Sequence, residues 1–83
     1  MDVLSELQKF MLTNVAADLG KDSLDPDEDL LAQGIIDSLG VMALVTFIED
    51  TFGIQVTDGD IVPDNFQTLN VMAKFVEARM QHA

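Results

Sequence analysis

Gly34-Ile35-Ile36-Asp37-Ser38-Leu39-Gly40-Val41-Met42-Ala43-Leu44-Val45-Thr46-Phe47-Ile48-Glu49-Asp50-Thr51-Phe52-Gly53 holds one complete helix together with its start and stop signals. Asp37 offers a side-chain acceptor to the open amides of a first turn beginning at Ser38, and Gly53 offers the left-handed residue on which helices end. At ~100° per residue, Val41, Leu44, Val45, Ile48 and Phe52 share one face, the natural core face. Leu39, Met42, Ala43 and Phe47 fall outside it. A helix apolar nearly all round is either wholly enclosed or binds through its second face, and a chain of 83 residues can hardly enclose one. Part of that second face is therefore read as an interaction surface.

Upstream, Val3, Leu4, Leu7, Phe10, Met11, Asn14 and Val15 recur at helical spacing, which predicts a first helix over residues 2–17 ending near Leu19-Gly20. The polar, Pro-interrupted run that follows begins a long loop. Leu24, Leu30, Leu31, Ile35 and Ile36 recur within it, so it is expected to be pinned to the core. Downstream, Thr57-Asp58-Gly59-Asp60 resembles a capping box with Asp in place of Glu, opening a short helical turn through Ile61-Val62 that Pro63 limits. Thr68 caps a last helix carrying Leu69, Met72, Ala73, Phe75, Val76 and Met80. The lone run Ile54-Gln55-Val56 is too short for a sheet.

With 48% apolar residues the chain has the composition of a folded domain despite a net charge of −11. Its size implies a single domain spanning 1–83. Four scattered bases cannot form the basic patch that nucleic acid or an anionic membrane requires. The acidic start and the lack of a long apolar run oppose a secretory signal or a membrane span, so a cytoplasmic protein is expected. All the net charge lies in two segments, residues 18–37 at −6 and residues 49–64 at −5, which bracket the two-faced helix. An apolar patch with acidic flanks suits docking to basic-rimmed proteins, where charge speeds and orients encounter.

Catalytic and metal chemistry find few footholds. The sequence has no Cys, and its one His, His82, sits beside the C-terminus. Asp25-Pro26-Asp27-Glu28-Asp29 begins like a calcium loop, but the Gly required at its sixth position is Leu30 and the Glu required at its twelfth is Ile36. Ser38 is different, because a hydroxyl at a helix N-terminus sits where the dipole and free amides favour a phosphate.

Asp37-Ser38-Leu39 at the head of such a helix resembles the acyl carrier protein and peptidyl carrier protein family, whose Asp-Ser-Leu motif opens the second helix of a small four-helix bundle. The resemblance extends through Glu49-Asp50-Thr51-Phe52-Gly53-Ile54, Thr57-Asp58-Gly59-Asp60-Ile61 and Thr68-Leu69-Asn70-Val71, nearly the whole chain. It implies an all-α bundle with three main helices, a short third helix and a long loop between helices one and two. It also implies that Ser38, flanked by Asp37 and Leu39, carries covalent 4′-phosphopantetheine installed from coenzyme A by a phosphopantetheinyl transferase. The arm would supply the thiol that the sequence lacks, for acyl or aminoacyl thioesters. A loading ligase or adenylation enzyme and synthase or tailoring enzymes would be the further partners of a free-standing monomer that is not itself an enzyme.

The docking set expected for those partners is Leu39, Met42, Ala43, Glu49, Asp50 and Ile61. Carriers of fatty-acid synthesis commonly have acids two and five residues beyond the Ser, where this chain has Gly40 and Ala43. That departure favours a polyketide, nonribosomal-peptide, modified fatty-acid or other specialised pathway. The competing expectation is an acidic helical protein-interaction module without a prosthetic group, in which Ser38 is only structural.

Overall fold

Asp37 and Gly53 delimit the central helix as their chemistry requires. The computed structural model describes residues 2–15 and 23–81; in it, α2 runs Ser38–Phe52. Asp37 Oδ1 accepts the Gly40 amide at 2.9 Å. At the other end Gly53 takes φ +68° while its N–H reaches the Glu49 carbonyl. A side chain at that backbone angle would cost about 1–2 kcal/mol, so Gly is the natural stop.

The first helix departs from its expected form. Regular α1 covers Val3–Phe10 and continues as a π-helical turn over Met11–Val15, while the end expected near Leu19-Gly20 lies outside the described residues. The Thr13 hydroxyl donates to the Lys9 carbonyl at 2.9 Å and the Asn14 side-chain amide donates to that of Phe10 at 3.3 Å. Short polar side chains that bond the backbone in this way compete with the regular ladder.

The segment before α2 is pinned as its leucines and isoleucines predict. Leu24, Leu30 and Ile36 are buried and Leu31 and Ile35 half-buried. Burial brings backbone bonds with it. Leu30 N–H donates to the Gln67 carbonyl at 2.8 Å and Asn70 N–H to that of Pro26 at 3.0 Å, and the Gln8 side chain donates to the Leu24 carbonyl at 2.9 Å. Two carboxylates of the calcium-like run act as turn acceptors: Asp25 takes the Asp27 amide and Asp29 the Ala32 amide, both at 2.9 Å.

Beyond α2, Thr57 N–H and the Thr57 hydroxyl both donate to Asp60 Oδ2 at 2.9 Å, closing the expected cap around a 3-10 turn at Asp58–Asp60. The expectation that this turn runs through Ile61-Val62 and is limited by Pro63 is corrected. Val62 is extended and Pro63 opens a separate helix, α3, at Pro63–Phe66. Pro pushes its predecessor out of helical geometry, whereas its own missing N–H is harmless at a helix start. The Thr68 hydroxyl then accepts the Val71 amide at 3.0 Å to cap α4, Leu69–Gln81.

The expected all-α architecture is the one observed. Among the described residues there is no strand, including 54–56, and no helix is long and apolar enough to cross a membrane. α1 and α3 both pack chiefly on α4. Leu7, Met11, Leu30, Leu44, Ile48, Phe66, Leu69, Met72 and Val76 are closed to water between the elements. Each such side chain stabilises the fold by about 1.5–3 kcal/mol relative to exposure. One helical phase needs correction: Phe47, expected on the second face of α2, is half-buried and stacks on Phe10 of α1 at 4.3 Å between ring centroids. Large rings reach round a helix to a neighbour where smaller residues at the same angle cannot.

Candidate functional site

Ser38 is the first residue of α2 and is exposed. Its hydroxyl makes no hydrogen bond to any described residue. The cap beside it is complete, since Asp37 takes the Gly40 amide through its side chain and the Val41 amide through its carbonyl at 2.8 Å. The amides of Ser38 and Leu39 remain outside the helical ladder, as at any helix start.

A groove of about 460 Å³ adjoins Ser38. Leu31 from the pinned loop, Val41 and Met42 from α2, Ile61 and Val62 from the turn and Pro63 and Phe66 from α3 line it. Apart from Asp37 and Ser38, its lining residues are apolar. Met42 is 52% and Val62 40% exposed, so apolar surface continues from the groove onto the outside.

The six docking residues expected from sequence do not form one patch. Met42 and Ile61 line the groove. Leu39, 81% exposed, and Ala43 border a second hollow of about 300 Å³ on another side of α2, with Ile35 and Asn14. Glu49 and Asp50 stand about 15–17 Å beyond Leu39 and about 9–11 Å beyond Ala43 along the helix, at ~1.5 Å per residue. Glu49 also has an internal task, since its carboxylate accepts the Val56 amide at 2.9 Å. Sequence reasoning missed Leu31, Val62 and Phe66 as groove residues. The apolar residue just before Pro63 was the available signal for Val62, because a pre-proline position is extended and leaves the helix.

It also missed Arg79. From α4 this side chain donates to Asp60 Oδ1 at 2.6 Å and to the Gln55 carbonyl at 3.1 Å. That guanidinium, with the Thr57 N–H beside it, holds the Asp60 carboxyl down at about 2, below its ordinary 3.8.

Comparison with known proteins bears directly on this arrangement. A family model described as a phosphopantetheine attachment site matches residues 9–76, a span that runs from α1 through the groove and into α4. The chain belongs to the phosphopantetheine-binding carrier family. D-alanyl carrier proteins of Streptococcus pyogenes, among them those of serotypes M5 (strain Manfredo), M49 (strain NZ131) and M1, are each 39% identical to it over 57 residues, covering 69% of this chain and 71% of theirs. The prosthetic group of this carrier is covalently attached 4′-phosphopantetheine. A carrier of this family is not a catalyst; it works with a phosphopantetheinyl transferase and with ligases or synthases.

Proposed function

We propose that Ser38 is the attachment point of the 4′-phosphopantetheine arm and that the chain presents an acyl or aminoacyl group as a thioester to partner enzymes. The observation that carries this reading is the exposed Ser38 hydroxyl, bonded to no described residue, at the open start of a capped helix of 15 residues. These residues fit the group. The free amides and helix dipole at Ser38 and Leu39 favour a phosphodiester by about 0.3–1 kcal/mol. Asp37, although acidic, has its carboxylate turned to the Gly40 amide, so its charge serves the cap. When bound, the arm supplies a thiol on a long flexible tether.

Attachment requires only an accessible nucleophile from this chain. Ser38 Oγ forms the bond to phosphorus and releases its proton; the pyrophosphate bond of coenzyme A breaks, and adenosine 3′,5′-bisphosphate leaves. Asp37 keeps the backbone at Ser38 in one geometry while this happens. Leu39, next to the reacting hydroxyl and 81% exposed, supplies apolar contact for whichever enzyme approaches. The acids at residues 49–64 give that approach its direction.

The cargo we infer is a small aminoacyl group loaded by an ATP-dependent ligase. The D-alanyl carrier relatives support this reading. So does a core whose large side chains are closed to water, with the groove beside Ser38 lying at the surface, which suits a short group carried in the open.

Incubation with coenzyme A and a broad-specificity phosphopantetheinyl transferase, followed by intact-mass measurement, tests the attachment. The wild-type chain should gain one phosphopantetheine increment, and Ser38→Ala should gain none while keeping its helical circular dichroism. Modification of the Ala variant, or an unmodified wild type, would refute the assignment.

A further inference from the structure

Residues 49–64 carry five acids and no base, so the cation that meets this segment comes from elsewhere in the chain. It is Arg79, from 19 residues beyond Asp60 and 24 beyond Gln55. Its two terminal nitrogens are used separately, one on the Asp60 carboxylate and the other on the Gln55 carbonyl. The guanidinium also lies over the Phe75 ring at 5.2 Å from its centroid, and Phe75 packs on Phe66 at 6.1 Å. Phe66 lines the groove beside Ser38, and Ile61, next in sequence to Asp60, lines it too. Arg79 therefore touches the groove wall by two routes without reaching the groove itself. The Asp60–Arg79 contact is the salt bridge found among the described residues.

Its side chains are 17% and 36% exposed, a setting in which ion pairs add little to global stability. Ile54 is the segment's one fully buried residue, with Phe52, Val56 and Ile61 half-buried against the core. Its other ties are polar: Glu49 to the Val56 amide, and the Asn65 side chain to the Asp60 carbonyl at 2.8 Å.

We propose that Arg79 is a positioning residue for partner recognition: by clamping Gln55 and Asp60 to α4 it sets where Ile61 and Val62 stand relative to Ser38 and Met42. The inference rests on Ser38 as the attachment point. The clamp also withdraws Asp60 from the acidic face, leaving Asp50, Asp58 and Asp64 free for a basic partner. Arg suits the task because its planar fork serves a carboxylate and a carbonyl together, which the single ammonium of Lys cannot do as well.

The test is steady-state modification by the transferase with coenzyme A, varying the apo-carrier concentration. Arg79→Gln should raise KM for the carrier about three- to tenfold with kcat within about twofold, the pattern of lost docking without lost chemistry. Arg79→Lys should fall between wild type and Arg79→Gln, and Asp60→Asn combined with Arg79→Gln should be no worse than Arg79→Gln alone, because the ion pair is already lost in it. A helical Arg79→Gln variant with the wild-type KM, or with a loss in kcat alone, overturns the proposal. If Arg79→Gln melts below the assay temperature, amide exchange in Arg79→Lys decides: faster exchange confined to residues 55–62 supports the clamp, and uniform or unchanged exchange overturns it. An unmodified wild-type Ser38 would bring down the attachment reading and this inference together. Normal modification with an Arg79-independent KM would bring down this inference alone.

Discussion

Two irregular, acidic segments flank α2 and are held by different balances of burial and polar bonding. Residues 23–36 are anchored by burial, with Leu24, Leu30 and Ile36 in the core and backbone bonds to the start of α4. Residues 54–62 contribute Ile54 to the core with Val56 and Ile61 half-buried against it, and add polar ties through the Glu49, Asp60, Asn65 and Arg79 side chains. Both border the Ser38 groove, through Leu31 on one side and Ile61 and Val62 on the other. One wall is therefore set chiefly by the hydrophobic effect, which mild pH change leaves alone and charge screening does not weaken. The other leans more on charge and hydrogen bonding, which respond to both. A carrier must offer one reactive end to several enzymes, and this division provides a fixed wall and an adjustable one.

The largest effect expected from this contrast is at Leu30. Its side chain is fully closed to water, so Leu30→Ala should cost about 2–5 kcal/mol. For a small domain that is a large share of total stability. Urea unfolding followed by circular dichroism measures it. A loss below about 1 kcal/mol would mean that the segment is held by its polar bonds after all, and the contrast with residues 54–62 would disappear.

A smaller effect, specific to the other wall, is expected on acidification. Asp60 titrates at about 2 in the folded protein, below its ordinary 3.8, because Arg79 and the Thr57 N–H favour its charged form. Between those values the unfolded chain binds the extra proton, so stability rises with pH through this window. The contribution is complete above about 3.8 and is lost as pH falls towards about 2. Asp60→Asn should lack this part of the acid transition while the remainder, due to the other carboxylates, persists. Melting curves of the two proteins at closely spaced pH values should converge below about 2 and separate above it. Parallel curves across the whole range would show that the Arg79 contact does not form in solution.

The same contrast explains what was legible in the sequence. Burial leaves a periodic trace, so the pinned loop, both ends of α2 and the core of α4 could be read from spacing and caps alone. Asp37 and Gly53 act within a few residues of themselves, and local signals of that kind survive folding unchanged. The polar ties do not repeat. Nothing in the spacing of Gln55, Asp60 and Arg79 announces that they meet, and the groove needs Leu31, Met42, Ile61 and Phe66 from separate elements. The capped, exposed position of Ser38 was legible because Asp37 and the helix start are adjacent in sequence. The second face of α2 was not legible as separate surfaces, because α2 has neighbours on several sides: Phe47 is taken up by Phe10, while Leu39 and Met42 face different hollows.

The smallest effect expected is at Asn70, and it sharpens the comparison from the other direction. The Asn70 side chain donates to Asp27 Oδ1 at 2.6 Å, a polar tie on the wall otherwise held by burial. This bond is exposed, so water replaces it when it is removed, and an exchange of that kind changes stability by about 0.5–1.5 kcal/mol at most. Two features reduce the cost further in Asn70→Ala. The Asn70 N–H, which reaches the Pro26 carbonyl at 3.0 Å, is retained in Ala, and Ala is the better helix former in α4 by a few tenths of a kcal/mol, roughly. The net change in urea unfolding should stay within about 0.5 kcal/mol, and amide exchange over residues 24–36 should stay at wild-type rates. Asp60→Asn, which takes the charge from a bond of equal length on the opposite wall, should by contrast speed exchange over residues 55–62. If Asn70→Ala loosened its own segment as much as Asp60→Asn loosens the other, burial of Leu24, Leu30 and Ile36 would not be what holds the first wall, and the two sides of the groove would have to be regarded as equally adjustable.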